Sequence, residues 1–210
     1  INNDLTSKSK MFRLLQGDVG SGKTIVSLIS ALNVVNSGYQ VALMAPTEIL
    51  ARQHFVLAKK IFPTQINLAL LSSKSENKIK KEIIDNLKTK KIDMVFGTHA
   101  IFQKKITFSN LGFIIIDEQH KFGVRQRKLL SDKGGKNCDV LLMSATPIPR
   151  TLTMSIYGDM DISIIREKPN NRKEVKTYSK LESKIEDVIN FVKKEIKPVI
   201  ICMICCFHWC

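Results

Sequence analysis

A glycine-rich loop, GDVGSGKT at residues 17–24, constrains the fold of this chain more than any other stretch of its sequence. It matches the pattern G-x-x-x-x-G-K-S/T and stands between an apolar run at 12–16 and a segment of helical period. Glycines let the backbone curl so that its N–H groups point at phosphate oxygens, and a helix start adds partial positive charge. We therefore predict a strand, a phosphate-binding loop and a helix.

The side chains of this loop predict which ligand it holds. Lys23 would reach the β- and γ-phosphates of a nucleoside triphosphate, and Thr24 would ligate Mg²⁺. The predicted cofactors are thus ATP and Mg²⁺. The alternative is a glycine-rich turn that binds nothing, which the flanking strand and helix disfavour. The predicted nucleotide-binding residues are Gly17, Asp18, Val19, Gly20, Ser21, Gly22, Lys23 and Thr24.

The rest of the chain alternates short apolar runs, rich in β-branched residues, with longer segments of helical period. This pattern is typical of βαβ units, whose parallel strands form a central sheet flanked by helices. We predict an α/β domain over 1–166. Gly38 is expected to end the first helix and Thr47 to cap the second. The predicted strands are 12–16, 40–45, 67–71, 93–97, 113–117, 140–144 and 162–166.

A pair of acids, Asp117 and Glu118, stands at the end of the apolar run that begins at Phe113. A phosphate-binding loop needs such an acidic site to hold the metal and to position water. We expect Asp117 to hold Mg²⁺ through water and Glu118 to orient or deprotonate the attacking water. The alternative is a helix cap followed by a first-turn acid. The nearby glycine-rich loop favours the metal-binding interpretation.

Two short strings carry a resemblance to a known family. DEQH (117–120) resembles the DExH box of superfamily 2 helicases, and SAT (144–146) resembles their motif III. Longer strings resemble RecG-type ATP-dependent DNA helicases, which implies a RecA-like fold. Gln119 favours this resemblance over the transcription-repair coupling factor, which usually has a DEEH-type box. The strings are LLQGDVGSGKT (14–24), ALMAPTEILARQH (42–54), FGTHAIFQ (96–103), IIDEQHKFGVRQR (115–127) and SATPIPRTL (144–152).

This resemblance implies further site residues. Lys23, Asp117, Glu118 and His120 would be the catalytic set, with His120 linking hydrolysis to DNA contact. The residues implied to contact DNA or to couple it to hydrolysis are Pro46, Thr47, Glu48, Gly97, Thr98, His99, Ser144, Thr146 and Arg150. Simpler alternatives exist for several of them. Thr47 can be a helix cap, the SAT string a strand-end turn, and Arg150 an exposed arginine at a helix start.

The charge of the chain favours a polyanionic partner. The formal net charge is +14 and the pI is about 9.6, so phosphate contacts with counterion release are expected. Lysine-rich stretches at 78–81 and 88–91 can equally be solvated helix faces. No segment reaches the ~20 apolar residues of a membrane span, and no signal peptide is evident. We expect a cytoplasmic protein whose partner is branched or forked DNA.

The pattern changes near the carboxyl end. We predict a helix at 148–157, a linker at 167–174 and the start of a second helicase domain at 175–210, with a strand at 175–179 and a helix at 181–195. The resemblance implies a wedge domain and a second motor domain with an arginine finger, both missing from this chain. Because such an arginine contributes about 10³–10⁵ in rate, slow ATP hydrolysis by the chain alone is expected.

The last residues depart from the family resemblance after about Pro198. Four cysteines and one histidine crowd this tail, Cys202, Cys205, Cys206, His208 and Cys210. A frameshift is the simplest explanation, and a zinc site is the alternative, although structural zinc sites draw two ligand pairs separated by a loop. The functional hypotheses are an ATP-dependent DNA helicase motor that acts on branched DNA, and a remnant that binds nucleotide and DNA weakly without unwinding.

Overall fold

The computed structural model describes residues 1–7, 9–72, 75–103, 105–118, 138–146, 160–167 and 181–195. The chain divides into two compact units, Ile1–Asn170 and Asn171–Cys210. In the first unit the apolar runs form strands β1 (Phe12–Gly17), β2 (Gln40–Met44), β3 (Leu68–Leu71), β4 (Met94–Gly97), β5 (Leu111–Ile116), β6 (Asp139–Ser144) and β7 (Asp161–Ile165). All seven lie in one sheet, in the order β3-β4-β2-β5-β6-β1-β7.

Every adjacent pair of these strands is parallel. The helices described in the first unit are α1 (Asn2–Leu5), α2 (Lys23–Asn36), α3 (Glu48–Ile61) and α4 (Asn77–Lys88), together with a 3₁₀ turn at His99–Phe102. The predicted α/β class, with a central parallel sheet between helices, is confirmed. Because all strands run the same way, the loops that follow β1, β2, β4, β5 and β6 meet at one edge of the sheet.

Both faces of the sheet are buried at its central strands, β2, β4 and β5. Neighbouring residues of one strand enter different apolar clusters: Leu14 joins the cluster with Ile114 and Leu142, and Leu15 joins the cluster with Ile115 and Leu141. All six residues of β5 are buried. A parallel strand covered on both faces has this continuous apolar composition, since alternate side chains point to opposite faces.

The helix boundaries follow local signals. The hydroxyl of Thr47 accepts a hydrogen bond from the Leu50 N–H at 3.3 Å, which confirms the predicted cap of α3. The predicted end of α2 at Gly38 is displaced by one residue, because the cap position is Ser37. Gly38 follows it with a φ of 85°, and its N–H donates to the Val35 carbonyl. Glycine tolerates this left-handed conformation without a steric penalty.

Some strand boundaries differ from the prediction at polar residues. Asn67 and Asp93 lie just outside β3 and β4, where the Asp93 carboxylate accepts from the Asn67 N–H at 2.8 Å. β5 begins at Leu111, two residues earlier than predicted, and ends before Asp117. The Asp117 N–H still donates to the Met44 carbonyl at 2.9 Å. The sheet therefore continues to hold the backbone at the first acidic residue.

The second unit is described over 181–195, where a 3₁₀ turn at Glu182–Lys184 leads into helix α5 (Ile185–Glu195). This agrees with the helix predicted at 181–195, except for its first turn. Three predicted segments lie outside the described residues: the helix at 148–157, the linker from residue 168 onward and the strand at 175–179. The predicted domain boundaries therefore stay a prediction. Among the helices that the structure describes, none is long and apolar enough to cross a membrane.

Candidate nucleotide-binding site

The glycine-rich loop connects the end of β1 to the start of α2. Gly20 and Gly22 have φ angles of 81° and 93°, which glycine adopts readily. Gly22 is the N-cap of α2 and offers no side-chain cap. The first N–H groups of a helix have no partner within the helix, and they carry partial positive charge. This end of α2 is therefore suited to an anion.

Two further features of the loop fit a bound ligand. A Cβ atom added at Gly17 would lie 2.5 Å from Ser21 Oγ and 3.2 Å from the Ile165 Cβ. The loop thus folds back onto its own first residue, and only glycine leaves the space. Ser21 Oγ is buried and has no hydrogen-bond partner among the described residues. A buried hydroxyl without a partner is costly, and a ligand oxygen or water would satisfy it.

Lys23 turns its ammonium group back over the loop. Nζ donates to the carbonyl of Gly17 at 2.6 Å and to that of Asp18 at 2.9 Å. An ammonium group has three donors, so these two bonds leave one for an anion. The lysine predicted to meet the phosphates is therefore held over the loop as a fixed positive charge.

Asp117 lies directly after β5 and is 8% exposed. Its Oδ1 accepts the Glu118 N–H at 3.0 Å, and its Oδ2 lies 2.7 Å from His54 Nε2. Glu118 has a φ of 50°. That left-handed conformation costs a residue with a side chain roughly 1–2 kcal/mol. Strain of this kind is found at active sites, where the surrounding structure fixes a side chain in a required direction.

The sheet order brings the acidic pair and the glycine-rich loop to the same edge. β5, β6 and β1 are consecutive, so Asp117, the turn after Ser144 and the loop after Gly17 stand side by side. Adjacent strands are about 4.8 Å apart, which places the ends of β5 and β1 roughly 10 Å from each other. Mg²⁺ prefers hydroxyl and carboxylate oxygens. The donor set of Thr24 and Asp117 fits this metal beside a nucleotide.

The segments predicted to contact DNA lie further along the same edge. β2 and β4 are neighbours in register, with Met44 opposite Gly97, and the Ala45 N–H donates to the Gly97 carbonyl at 2.9 Å. Pro46, Thr47 and Glu48 therefore lie beside Gly97, Thr98 and His99. Thr47 and His99 are exposed. The Glu48 carboxylate accepts a hydrogen bond from the Ser72 hydroxyl, which ties this segment to the end of β3.

Gly97 and Ser144, two of the residues predicted to contact DNA or to couple it to hydrolysis, have structural roles in the folded chain. Gly97 is buried, and a Cβ atom there would meet the Leu71 carbonyl oxygen at 2.7 Å, so the packing of β3 against β4 requires glycine. Ser144 is fully buried, and its hydroxyl accepts the Thr146 N–H at 3.2 Å. The strand-end turn considered for the SAT string is thus present. The DNA contacts themselves stay predictions, as do the catalytic and metal-binding roles.

Several predicted residues lie outside the described part of the chain. They include Gln119, His120, Arg150 and the cysteine-rich tail at 202–210. The described residues contain no cluster of three or more side chains that could bind a metal ion through His, Cys, Asp or Glu. The proposed Mg²⁺ site does not need such a cluster, because magnesium keeps several waters and uses one or two carboxylates with phosphate oxygens.

His54 is the site residue that sequence reasoning missed. It lies on the buried face of α3 with Ala51 and Ala58, and it is 7% exposed. The signal in the sequence is a polar residue at a helical position whose neighbours on the same face are small and apolar. That signal shows burial of a histidine but does not show which group the histidine meets.

Comparison with known proteins agrees with this geometry. The family model for DEAD/DEAH box helicases matches residues 3–155. The chain is 54% identical to the ATP-dependent DNA helicase RecG of Aquifex aeolicus over 196 residues, which cover 92% of this chain and 25% of that protein. It is 47% identical to the RecG of Bacillus subtilis over 198 residues, 94% of this chain and 29% of that protein. The chain thus spans less than a third of either relative.

Solved structures show the same relationship. The structure of RecG bound to a three-way DNA junction superposes with a TM-score of 0.74 at 42% identity, over 92% of this chain and 26% of that one. A DEAD box protein from the hyperthermophile Methanococcus jannaschii has a TM-score of 0.60 at 20% identity, over 88% of this chain and 53% of that one. The second likeness concerns the fold alone.

Proposed function

We propose that this chain, which belongs to the DEAD/DEAH box helicase family, forms the ATP-binding part of a DNA motor that acts on branched DNA in recombination and repair. One observation carries this proposal. β1 and β5 end at the same edge of the sheet, where Lys23 is held over the glycine-rich loop and Asp117 is buried nearby. The relatives are ATP-dependent DNA helicases by name, and a RecG structure that is 42% identical to this chain was solved bound to a three-way DNA junction.

Each residue of the site has a role in this proposal. The loop N–H groups and Lys23 bind the phosphates, while Thr24 and Asp117 hold Mg²⁺. Held there with ATP, Mg²⁺ would supply positive charge against the phosphate oxygens. Glu118 orients the attacking water. Fast hydrolysis would also need an arginine from a second motor domain, which is worth about 10³–10⁵ in rate.

The segments after β2 and β4, in which Thr47 and His99 are exposed, form the proposed binding surface for the DNA backbone. Thr47 and Thr98 offer hydroxyl groups, and His99 offers a ring nitrogen. Such contacts hold a strand in place without reading its sequence, as a motor that moves along DNA requires. We place the protein in the cytoplasm, where both DNA and ATP are found.

Nucleotide binding is the direct test of this proposal. The affinity of the 210-residue chain for a fluorescent ADP derivative would be measured with Mg²⁺. Lys23→Ala should weaken binding at least about 10-fold, because a charged hydrogen bond to phosphate contributes roughly 1.5–3 kcal/mol. Lys60→Ala is the matched control: Lys60 is an exposed lysine in the last turn of α3. Equal affinities for the two variants would contradict the proposed site.

A further inference from the structure

His54 occupies a position where packing alone would favour an apolar side chain. Ala51 and Ala58 on the same face of α3 are both 0% exposed, so the helix lies close to the sheet. α3 packs over β3 and β4. A polar group buried in such a place is costly unless it is hydrogen-bonded. His54 meets this requirement through the Asp117 carboxylate, 2.7 Å from its Nε2.

This bond joins two segments that are distant in the sequence, 63 residues apart. It forms at the carboxylate that the proposed function assigns to Mg²⁺. The other oxygen of Asp117 accepts the Glu118 N–H at 3.0 Å, and the Asp117 N–H is held by the Met44 carbonyl at 2.9 Å. Each carboxylate oxygen has two lone pairs, so both can accept these bonds and still face a hydrated metal.

We infer that His54 is a positioning residue, which fixes the Asp117 carboxylate in the orientation that Mg²⁺-nucleotide binding requires. This inference rests on the proposed function. Groups that hydrogen-bond a metal ligand orient it, and losing them costs about 10–100-fold in metal affinity. His54 also ties α3, which begins at the proposed DNA-binding segment with Thr47 as its cap, to the acidic pair at the nucleotide site. Metal binding and the position of α3 are thus connected through one hydrogen bond.

The test compares two replacements of similar shape. Glutamine and methionine are both unbranched and both suit a helix, but only glutamine retains a side-chain N–H donor. For His54→Gln, His54→Met and the unaltered chain, the affinity for a fluorescent ADP derivative would be measured once with Mg²⁺ and once with EDTA. The ratio of the two affinities isolates the contribution of the metal. It needs no hydrolysis and no DNA.

We expect His54→Met to reduce this Mg²⁺-dependent ratio about 10-fold, with little change in EDTA. His54→Gln should restore most of it. Ala58→Gly serves as the control for stability, because it lowers helix propensity and removes a buried methyl on the same face of α3 but leaves the hydrogen bond from His54 to Asp117 in place. A merely structural role would reduce binding equally for His54→Met and Ala58→Gly, or equally with and without Mg²⁺, and either result overturns the inference.

A cycle with Asp117→Asn separates this inference from the proposed function. If His54 acts through Asp117, then His54→Met should have no additional effect on the ratio in the Asp117→Asn background. An unaltered chain without Mg²⁺-dependent ADP binding would contradict the proposed function itself. Should His54→Met not fold, the ¹⁵N signals of the His54 ring in the unaltered chain are measured instead. They should shift when Mg²⁺ is added to the ADP-bound chain, and unmoved signals overturn the inference.

Discussion

At the scale of single residues, the glycine-rich loop leaves almost no room beside Gly17. The nearest atoms to an added Cβ would be Ser21 Oγ and the Ile165 side chain, which belong to the loop and to the neighbouring strand β7. The Ser21 hydroxyl can rotate away, but Ile165 is fixed in the sheet. The shape of the phosphate-binding loop therefore depends on a contact with β7 as well as on its own glycines.

We predict that Gly17→Ala weakens binding of a fluorescent ADP derivative several-fold, because the added methyl would press against Ile165, which the sheet fixes, and would shift the first residue of the loop. Gly38→Ala is the control. Gly38 has a φ of 85°, so alanine there is strained, and the closest atom to its Cβ would be Lys90 Nζ at 3.7 Å. It should lower the free energy of unfolding by about 1 kcal/mol and leave the affinity unchanged. If Gly38→Ala weakens binding as much as Gly17→Ala, global destabilisation explains both.

At the scale of elements, α3 joins the segment proposed to contact DNA to the proposed nucleotide site. Its first turn follows β2 at the proposed DNA-binding segment, and Glu48 there is bonded to Ser72 at the end of β3. One to two turns later, the His54 ring hydrogen-bonds Asp117 at the proposed nucleotide site. A helix is stiff over this length, so a movement of its first turn would also move His54 relative to Asp117.

The start of α3 provides a prediction at this scale. Thr47→Ala removes the acceptor for the Leu50 N–H and should lower the free energy of unfolding by about 1 kcal/mol, measured by urea denaturation. Thr47→Ser keeps the hydroxyl and should cost less. If Thr47 also contacts the DNA backbone, then only the alanine variant should bind DNA more weakly at a denaturant-free, fully folded condition. Identical stabilities of the two variants would argue against the cap.

At the scale of the whole molecule, the two lysine-rich stretches lie at the two ends of α4. The sequence left open whether the two lysine-rich stretches bind DNA or are merely solvated. The first stretch includes Lys78 and Lys81 in the first turns of α4, which follows β3 at the edge that carries the site. The second includes Lys88 and Lys91, at the far end of α4 and just before β4. Parallel strands put these stretches at opposite edges.

We predict that a Lys78→Gln, Lys81→Gln double variant weakens binding to a branched DNA, whereas Lys88→Gln, Lys91→Gln does not. Both remove two positive charges, so the comparison removes the effect of net charge. If both lysines contact phosphates, the slope of log affinity against log salt should become shallower by about 1.4–1.8 in the first variant, since each contact contributes about 0.7–0.9. Equal slopes would indicate that only net charge matters. The measurement is a salt titration by fluorescence anisotropy.

The spacing of residues that are near each other in the sequence determined most of the secondary structure and the phosphate-binding loop of this protein. Several predicted features depend only on residues that are close together in the chain. They are the loop at 17–24, the alternation of apolar runs and helices, the cap at Thr47 and the acidic pair after β5. Their physical basis is local, because backbone conformation and capping depend on near neighbours. The βαβ connections also predict that the strands run parallel, with their carboxyl ends at one edge of the sheet. The order of the strands, which places the loop after β1 close to Asp117, came from the tertiary structure.

Contacts between distant segments were decided only by the tertiary structure. No local pattern specifies which partners these contacts join. The examples are the bond from His54 to Asp117 and the bond from Ser72 to Glu48. The same holds for the left-handed φ of Glu118 and for the requirement for glycine at Gly97. Sequence periodicity shows that a face is buried, but burial does not identify the atom on the other side. For this reason the sequence predicted the phosphate-binding loop, while only the folded chain revealed the side chain that holds its acidic partner.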